Sequence, residues 1–575
     1  MKALVTDHTP VRPREWIALA ALMVLTCGLL VYLAWRTGIT IDEPGHLVGA
    51  DLYWEGADQL PPGDMPPLIK IAGGWVPRCF DLPLPDDLGK PGDTRREWEV
   101  SLVMLEHMRP DRIQAFIFAS RLPMILFPLL TTLIVWLWSR EMFSPATAII
   151  AAALFALEPT ALAHGALFKN DHAATFSYLL FWYAGWRYWR MPSARNAALL
   201  ALGTALAMIA KLSLLFVFGV APVLIVLAAL QTRTRPRARA LAAAAGVCAA
   251  AYLVVLAAAQ FDIRRLSASD LIRLGGDPTL PGWFAVAARI FTVVPVPARM
   301  WAGTVSLMSG FAYQNPVYLF GRIWPHGHPL YFVAALLVKA PVTMIVMEAA
   351  GAVLLLIASV RRRLAWSDLL WIVPGPLYVF LSSRVPVQLG VRLILPALPF
   401  GVLLAAYAIE RLRTGRSGRL VIVAGLLLFV VETAHAYPNG IAFFNLAAGG
   451  PGAGFLYLSD SNLDWGQGLG ELRRWARANG ARPIRLSYFG ADMMYRYFRD
   501  DEIQPIPPPW NDTLARGRAQ LIPEPGYYYA ISPTLLPGHF FPPKYRDYYA
   551  AFRRMTPVAR PGYSIFVYRV DAPGR

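Results

Sequence analysis

Two neighbouring carboxylates, Asp42 and Glu43, stand just beyond an apolar run. They are followed by His46, Tyr53, Trp54, Asp58, a Pro66-Pro67 turn and Lys70. A second acidic residue, Asp171, lies between Lys169 and His172 in LFKNDHAATF, and the sparse cations Lys211, Arg384 and Arg392 punctuate later gaps between apolar runs. A carboxylate can take the proton of an acceptor hydroxyl, and cations can hold a phosphate leaving group. A lipid-linked phosphate is kept at membrane depth by its own tail, so proximity supplies much of the catalysis. The plainer reading is a solvated acidic helix end. Choosing between them requires knowing which side of a membrane these residues face.

The elements that must position them are apolar. The chain has 575 residues, 56% of them hydrophobic and 16% charged, a composition of the membrane class. Its formal charge of +17 is spread in short clusters between apolar segments, which argues against a nucleic-acid partner and for cytoplasmic loops that collect Arg and Lys. About eleven runs approach the ~20 residues needed to cross a bilayer. They lie near 16–35, 117–138, 146–163, 174–190, 197–212, 213–230, 239–259, 331–357, 368–382, 393–410 and 420–437. The first is long and lacks a small-x-small cleavage site, so it reads as a retained helix. With the N terminus inside, Arg12/Arg14, Arg140, Arg187/Arg190/Arg195, Arg233/Arg235/Arg237/Arg239, Arg361/Arg362/Arg363 and Arg411/Arg413/Arg416/Arg419 all fall on one side. That is the positive-inside pattern, and it places Asp42, Glu43 and Asp171 outside. The three cysteines, Cys27, Cys79 and Cys248, build no disulfide framework.

The expected architecture is a polytopic α-helical membrane protein with long outward segments at 36–116 and 260–330 and an extracytoplasmic α/β domain at 438–575, after a transmembrane region at 1–437. The stretch 281–311 is apolar but broken by prolines and by Arg289 and Arg299, which predicts helices lying in the interface. In the tail, GQGLGELRRWARANG predicts a helix over 466–480 capped near Asp464. PIRLSYFG, GYYYAIS and YSIFVYRV predict strands.

DEPGHLVGADLYW followed by PPLIK resembles the first outer loop of the protein O-mannosyltransferase-like enzymes, glycosyltransferase family 39 of the GT-C superfamily, including bacterial phospholipid-carrier-dependent members. KND on the second outer loop, FGRIWPHGHPLYFVAALLVKAPV, LGVRLILPALPF and the long YPNGIAFFNLAAGGPGAGFLYLSDSNLDWGQGLGELRRW stretch extend the resemblance over most of the chain. HGH at 326–328 departs from it, standing where relatives often carry Gly-Trp-Trp. The resemblance implies an inverting transfer, metal-assisted or metal-independent, from a polyprenyl-phosphate-sugar donor to a protein, lipid or polysaccharide acceptor outside the cytoplasm. It implies Asp42 as general base, Glu43 in support, Asp171 assisting from the second loop, and Lys70 touching the donor phosphate or the carboxylates. His46 and Lys169 belong to the same expected site. It also implies a multi-pass protein of the inner (plasma) membrane with a periplasmic C-terminal domain.

Other residues keep two readings. His326 and His328 could hold a divalent metal with an outward carboxylate, or be polar loop residues near headgroups. No other cofactor is implied. Lys339, inside an apolar run, is either functional or snorkels to the interface. Arg384 and Arg392 either grip phosphate or anchor a loop at the headgroups of the membrane lipids. Asp460, Asp464 and Trp465 in SDSNLDWGQ read as a helix start or as acceptor recognition. A flippase for lipid-linked sugars and a non-catalytic envelope scaffold are the rival functions; the chain shows no internal repeat of the kind many transporters carry.

Overall fold

The computed structural model describes residues 10–55, 66–85, 96–232, 237–310, 315–361 and 364–571. Asp58, Arg233, Arg235, Arg362 and Arg363 lie outside the described residues. The chain is a bundle of helices followed by a small mixed sheet. Among the described residues, seven helices are long and apolar enough to cross a membrane. A pair bent by 58°, Pro145–Ala156 and Pro159–Gly165, makes an eighth span if counted as one. The bend follows from the sequence: Glu158 accepts from Ala161 N at 2.6 Å and Pro159 opens the second helix, so the chain restarts rather than continues. The remaining three expected segments are also helical. Asn170–Arg190 is long but carries more polar residues, Ala194–Ala210 is short, and 366–382 is broken into short pieces. Length and composition therefore support seven or eight spans rather than all eleven.

The first helix, Pro13–Arg36, shows why these segments form. Pro13 opens it, Glu15 accepts from the Arg12 amide, and an unbroken apolar run follows until Thr37-Gly38. Ile17 and Val24 are exposed, as lipid-facing side chains are. The 281–311 stretch forms short helices, Gly282–Ala288 and Ala298–Gly310, which with Ala268–Gly276 bury a small apolar cluster around Phe284 and Trp301.

The C-terminal segment holds a four-stranded sheet in the order Ile503–Pro505, Ile484–Ser487, Tyr528–Ile531, Phe566–Arg569. The first two pairings are parallel and the last antiparallel. Three of these strands are those expected, and the edge strand Ile503–Pro505 is additional. The helix is Leu469–Asn479, with Gly468 at its N-cap and Gly480 in the left-handed conformation at its end. Asp464 therefore does not cap it; the chain turns elsewhere first.

The C-terminal segment is joined to the segment that follows the first helix. Ile41 N donates to Trp465 O (3.0 Å), Ile39 N to Asp492 Oδ2 (3.1 Å), and Arg36 pairs with Glu471 (2.9 Å). These contacts fix the backbone just before residue 42.

Candidate active site

Asp42 follows the end of Pro13–Arg36, immediately before the helix Glu43–Glu55. Lys169 and Asp171 lie at the start of Asn170–Arg190: Lys169 is the extended N-cap residue and Asp171 is in the first turn, where unpaired amides favour a carboxylate. Lys211 stands at the C-cap of Ala194–Ala210, the end that favours a cation. Arg392 lies in the 3-10 turn Val391–Ala397 that leads into Leu398–Leu412.

These four elements bring the charges into one line. Lys169 Nζ lies 2.5 Å from Asp42 Oδ2 and 2.7 Å from His46 Nε2. Arg392 Nη2 lies 3.3 Å from the same Asp42 oxygen, and its Nη1 3.7 Å from Asp171 Oδ2. Lys211 Nζ donates to Asp171 Oδ1 at 2.9 Å. Three cations thus face two carboxylates among the described residues, an arrangement with room for one more anion. Arg392 and Asp171 are buried, while the Asp42 side chain is 29% exposed and so reachable from outside.

Burial alone would raise the Asp42 carboxyl, but Lys169, Arg392 and His46 outweigh it and hold it below the ordinary carboxylate range. Burial, with Lys169 beside it, holds the His46 imidazole well below its usual range, so a neutral ring can accept from the ammonium. Burial also lowers the Lys169 ammonium, against the pull of Asp42.

Glu43 takes a different position from its neighbour. It is fully buried, and both oxygens are occupied. Oε1 accepts from Arg121 Nε (2.8 Å) and Phe168 N (2.9 Å). Oε2 accepts from Arg121 Nη2 (2.6 Å), Thr40 N (2.9 Å) and Thr40 Oγ1 (3.0 Å). Arg121 spends its remaining donors on Ala34, Thr37 and Gly38 carbonyls at the end of the first helix. The pair therefore ties the loop carrying Asp42 to the peptide beside Lys169. Arg121 was not singled out from the sequence; an arginine at the edge of an apolar run was the signal.

The other expected residues divide. Lys70 lies on the short helix Leu68–Gly73, near enough for its charge to act on His46. Arg384 is exposed over the Phe380 ring at 4.7 Å, away from the cluster. His326 is exposed; the His328 ring lies tilted against Trp324, 4.5 Å between centroids, and its Nδ1 accepts from Leu330 N. No group of three or more His, Cys, Asp or Glu is placed to hold a metal ion among the described residues. Among the described residues the two histidines are thus not joined by a carboxylate in a metal-holding group. Lys339 does not snorkel: it is buried and donates to Ile441 O (2.8 Å) and Asn462 O (2.5 Å).

Lys211 has a second role. It lines a cavity of about 700 Å³ whose other walls are overwhelmingly apolar, including Phe216, Trp283, Met300, Trp301 and Leu393. Through its ion pair with Asp171, Lys211 connects this cavity to the charged line.

No family model matches the chain, and no curated protein matches it. Solved structures similar to it include the apo oligosaccharyltransferase of Archaeoglobus fulgidus, at 14% identity and TM-score 0.42, covering 72% of this chain and 55% of that one. The chain therefore spans about half the length of that relative. ArnT from Cupriavidus metallidurans bound to undecaprenyl phosphate is similar at 13% identity and TM-score 0.44, over 97% of this chain and 98% of that one. Its apo form is similar at 14% identity and TM-score 0.43, over 95% and 97%.

Proposed function

We propose that this chain is a membrane glycosyltransferase that moves a sugar from a polyprenyl-phosphate donor to an acceptor hydroxyl on the outer side of the membrane. The observation that carries the reading is the joining of two features: a carboxylate held by Lys169 and Arg392, and an apolar cavity of about 700 Å³ that Lys211 links to the same line. Such a site suits an amphiphile with an anionic head and a long apolar tail. The sequence resemblance in the first and second outer loops supports the same chemistry.

In this reading the acceptor oxygen attacks the anomeric carbon from the side opposite the phosphate, and the bond between that carbon and the phosphate oxygen breaks. Asp42 takes the hydroxyl proton as the oxygen attacks. The lipid phosphate leaves as an anion, stabilised by Arg392, Lys169 and Lys211. The resting state needs one adjustment: a carboxylate bound to two cations is a weak base. Donor phosphate competes for those cations, and its arrival frees Asp42 and raises its basicity. Asp171 holds Lys211 and faces Arg392, which keeps the cations aimed at one point. Glu43 acts through its anchoring of both loops.

The test is Asp42→Asn, with sugar transfer and undecaprenyl phosphate binding measured on the same preparation. Transfer is expected to fall at least a hundredfold while lipid binding and expression persist. Unchanged glycan product in the variant refutes Asp42 as the base and turns the reading toward lipid transport.

A further inference from the structure

The motif SDSNLDWGQ, residues 459–467, does not cap the helix Leu469–Asn479 but forms a 3-10 turn over Asp460–Asn462, and none of its residues was given a step in the reaction just described. It turns inward instead. Asp460, in the left-handed region at φ 59°, makes the turn. Ser461 Oγ accepts from Arg392 Nε at 3.0 Å and donates to Leu389 O at 2.6 Å. Asn462 Oδ1 accepts from Val391 N (2.9 Å), and its Nδ2 donates to the Tyr331 hydroxyl (2.8 Å). Gly390 is required for this approach, because a Cβ there would collide with Ser461 Oγ.

Trp465 ends the inward turn. It is 1% exposed. The Arg392 guanidinium lies 4.1 Å from its ring centroid, and Lys169 Nζ lies 5.6 Å from the same ring. Its carbonyl accepts from Ile41 N, the residue before Asp42, and its own amide donates to Gln467 Oε1 at 2.7 Å. One residue of the C-terminal segment therefore touches both cations and the backbone beside the carboxylate.

We infer that Trp465 is a positioning residue through which the C-terminal segment sets Lys169 and Arg392 around Asp42 for a lipid phosphate. The inference rests on the proposed function. The physical reason lies in how an aromatic face holds a cation. Long Lys and Arg side chains lose much rotamer freedom when fixed. A further carboxylate beside Asp42 and Asp171 could fix them, but it would consume the N–H donors that phosphate needs. A ring attracts the charge through its quadrupole and leaves those donors free. The indole accepts no strong hydrogen bond, so it does not compete with the ligand. The same contact makes the site conditional on docking: if 459–467 is displaced, Arg392 loses the ring and Ser461 together.

The experiment is a double-mutant cycle on the full-length protein in nanodiscs, with undecaprenyl phosphate as the binding probe. Trp465→Leu is expected to weaken binding about tenfold, and Trp465→Phe about threefold or less, because a smaller aromatic face remains. In an Arg392→Met background the Trp465 substitution is expected to cost less, since the nearer of the two cations it holds is gone. A merely structural tryptophan would cost the same in both backgrounds, and that result overturns the inference. Wild-type affinity in folded Trp465→Leu overturns it as well. If Trp465→Leu fails to fold, the cycle is run with Trp465→Phe, and equal loss in both backgrounds again refutes the role. If Arg392→Met alone leaves binding unchanged, the phosphate reading itself fails and this inference falls with it. If Arg392→Met weakens binding and Trp465 variants do not, only the positioning role is lost.

Discussion

Replacing Glu43 with Gln separates the two neighbouring carboxylates most cleanly. The ion pair with Arg121 has side chains 0% and 1% exposed. One carboxylate oxygen faces two donors and the other faces three. An amide must put its NH₂ against one of these sets, whichever way it is turned. Two or three buried donors then lose their acceptor, each at about 1–3 kcal/mol. Arg121 also keeps a buried charge without its counter-ion, and breaking such a pair typically costs about 3–5 kcal/mol. Relaxation of the loops shares these costs, so about 3–5 kcal/mol is the expected loss. Asp42→Asn is the contrast. Its carboxylate is partly exposed, so the stability loss is expected to be smaller than that of Glu43→Gln while transfer is lost. Thermal unfolding of both purified variants, beside a transfer assay, reads the difference. Glu43→Gln melting with the wild type, or Asp42→Asn losing as much stability as Glu43→Gln, would refute the division of labour.

The contribution of Asp460 and Asp464 to stability is expected to fall as pH rises from 5 to 8. Burial pushes Asp460 and Asp464 up to about 7, Asp460 against the pull of Arg392, so the folded state binds these protons more tightly than the unfolded chain. Their contribution is in place below the ordinary carboxylate range and is lost as pH passes through about 7. Asp460→Asn should flatten that slope by roughly 2–4 kcal/mol across the window, read from unfolding midpoints at several pH values; an unchanged slope contradicts it. Asp42, held low, acts in the opposite sense: its contribution is present above the ordinary carboxylate range and fades in acid below it, outside this window. Filling the apolar cavity with Thr304→Trp should raise KM for a long-chain donor about tenfold and leave a short-chain donor nearly unaffected, measured with donors of two tail lengths. Equal effects on both donors would show that the cavity does not hold the tail.

The helical run was legible because crossing a bilayer demands long apolar stretches, and composition alone records them. The same holds for Asp42, Lys169, Asp171 and Arg392: charges beside apolar runs stand out. Three strands and the helix of the C-terminal segment could be read from alternation and from Gly480, within a few residues of their ends. What the sequence could not reveal is which charges meet. Asp42 and Arg392 are hundreds of positions apart, and their 3.3 Å contact depends on how separate helices pack. Glu43 and Asp42 look alike in the sequence, yet one is sealed against Arg121 and the other is partly exposed between Lys169 and Arg392. Trp465 read as part of a helix start because local pattern carries no information about a ring that turns back to lie against Arg392. Burial and long-range pairing are properties of the packed chain, since desolvation and Coulomb energy depend on distances that no spacing along the backbone encodes.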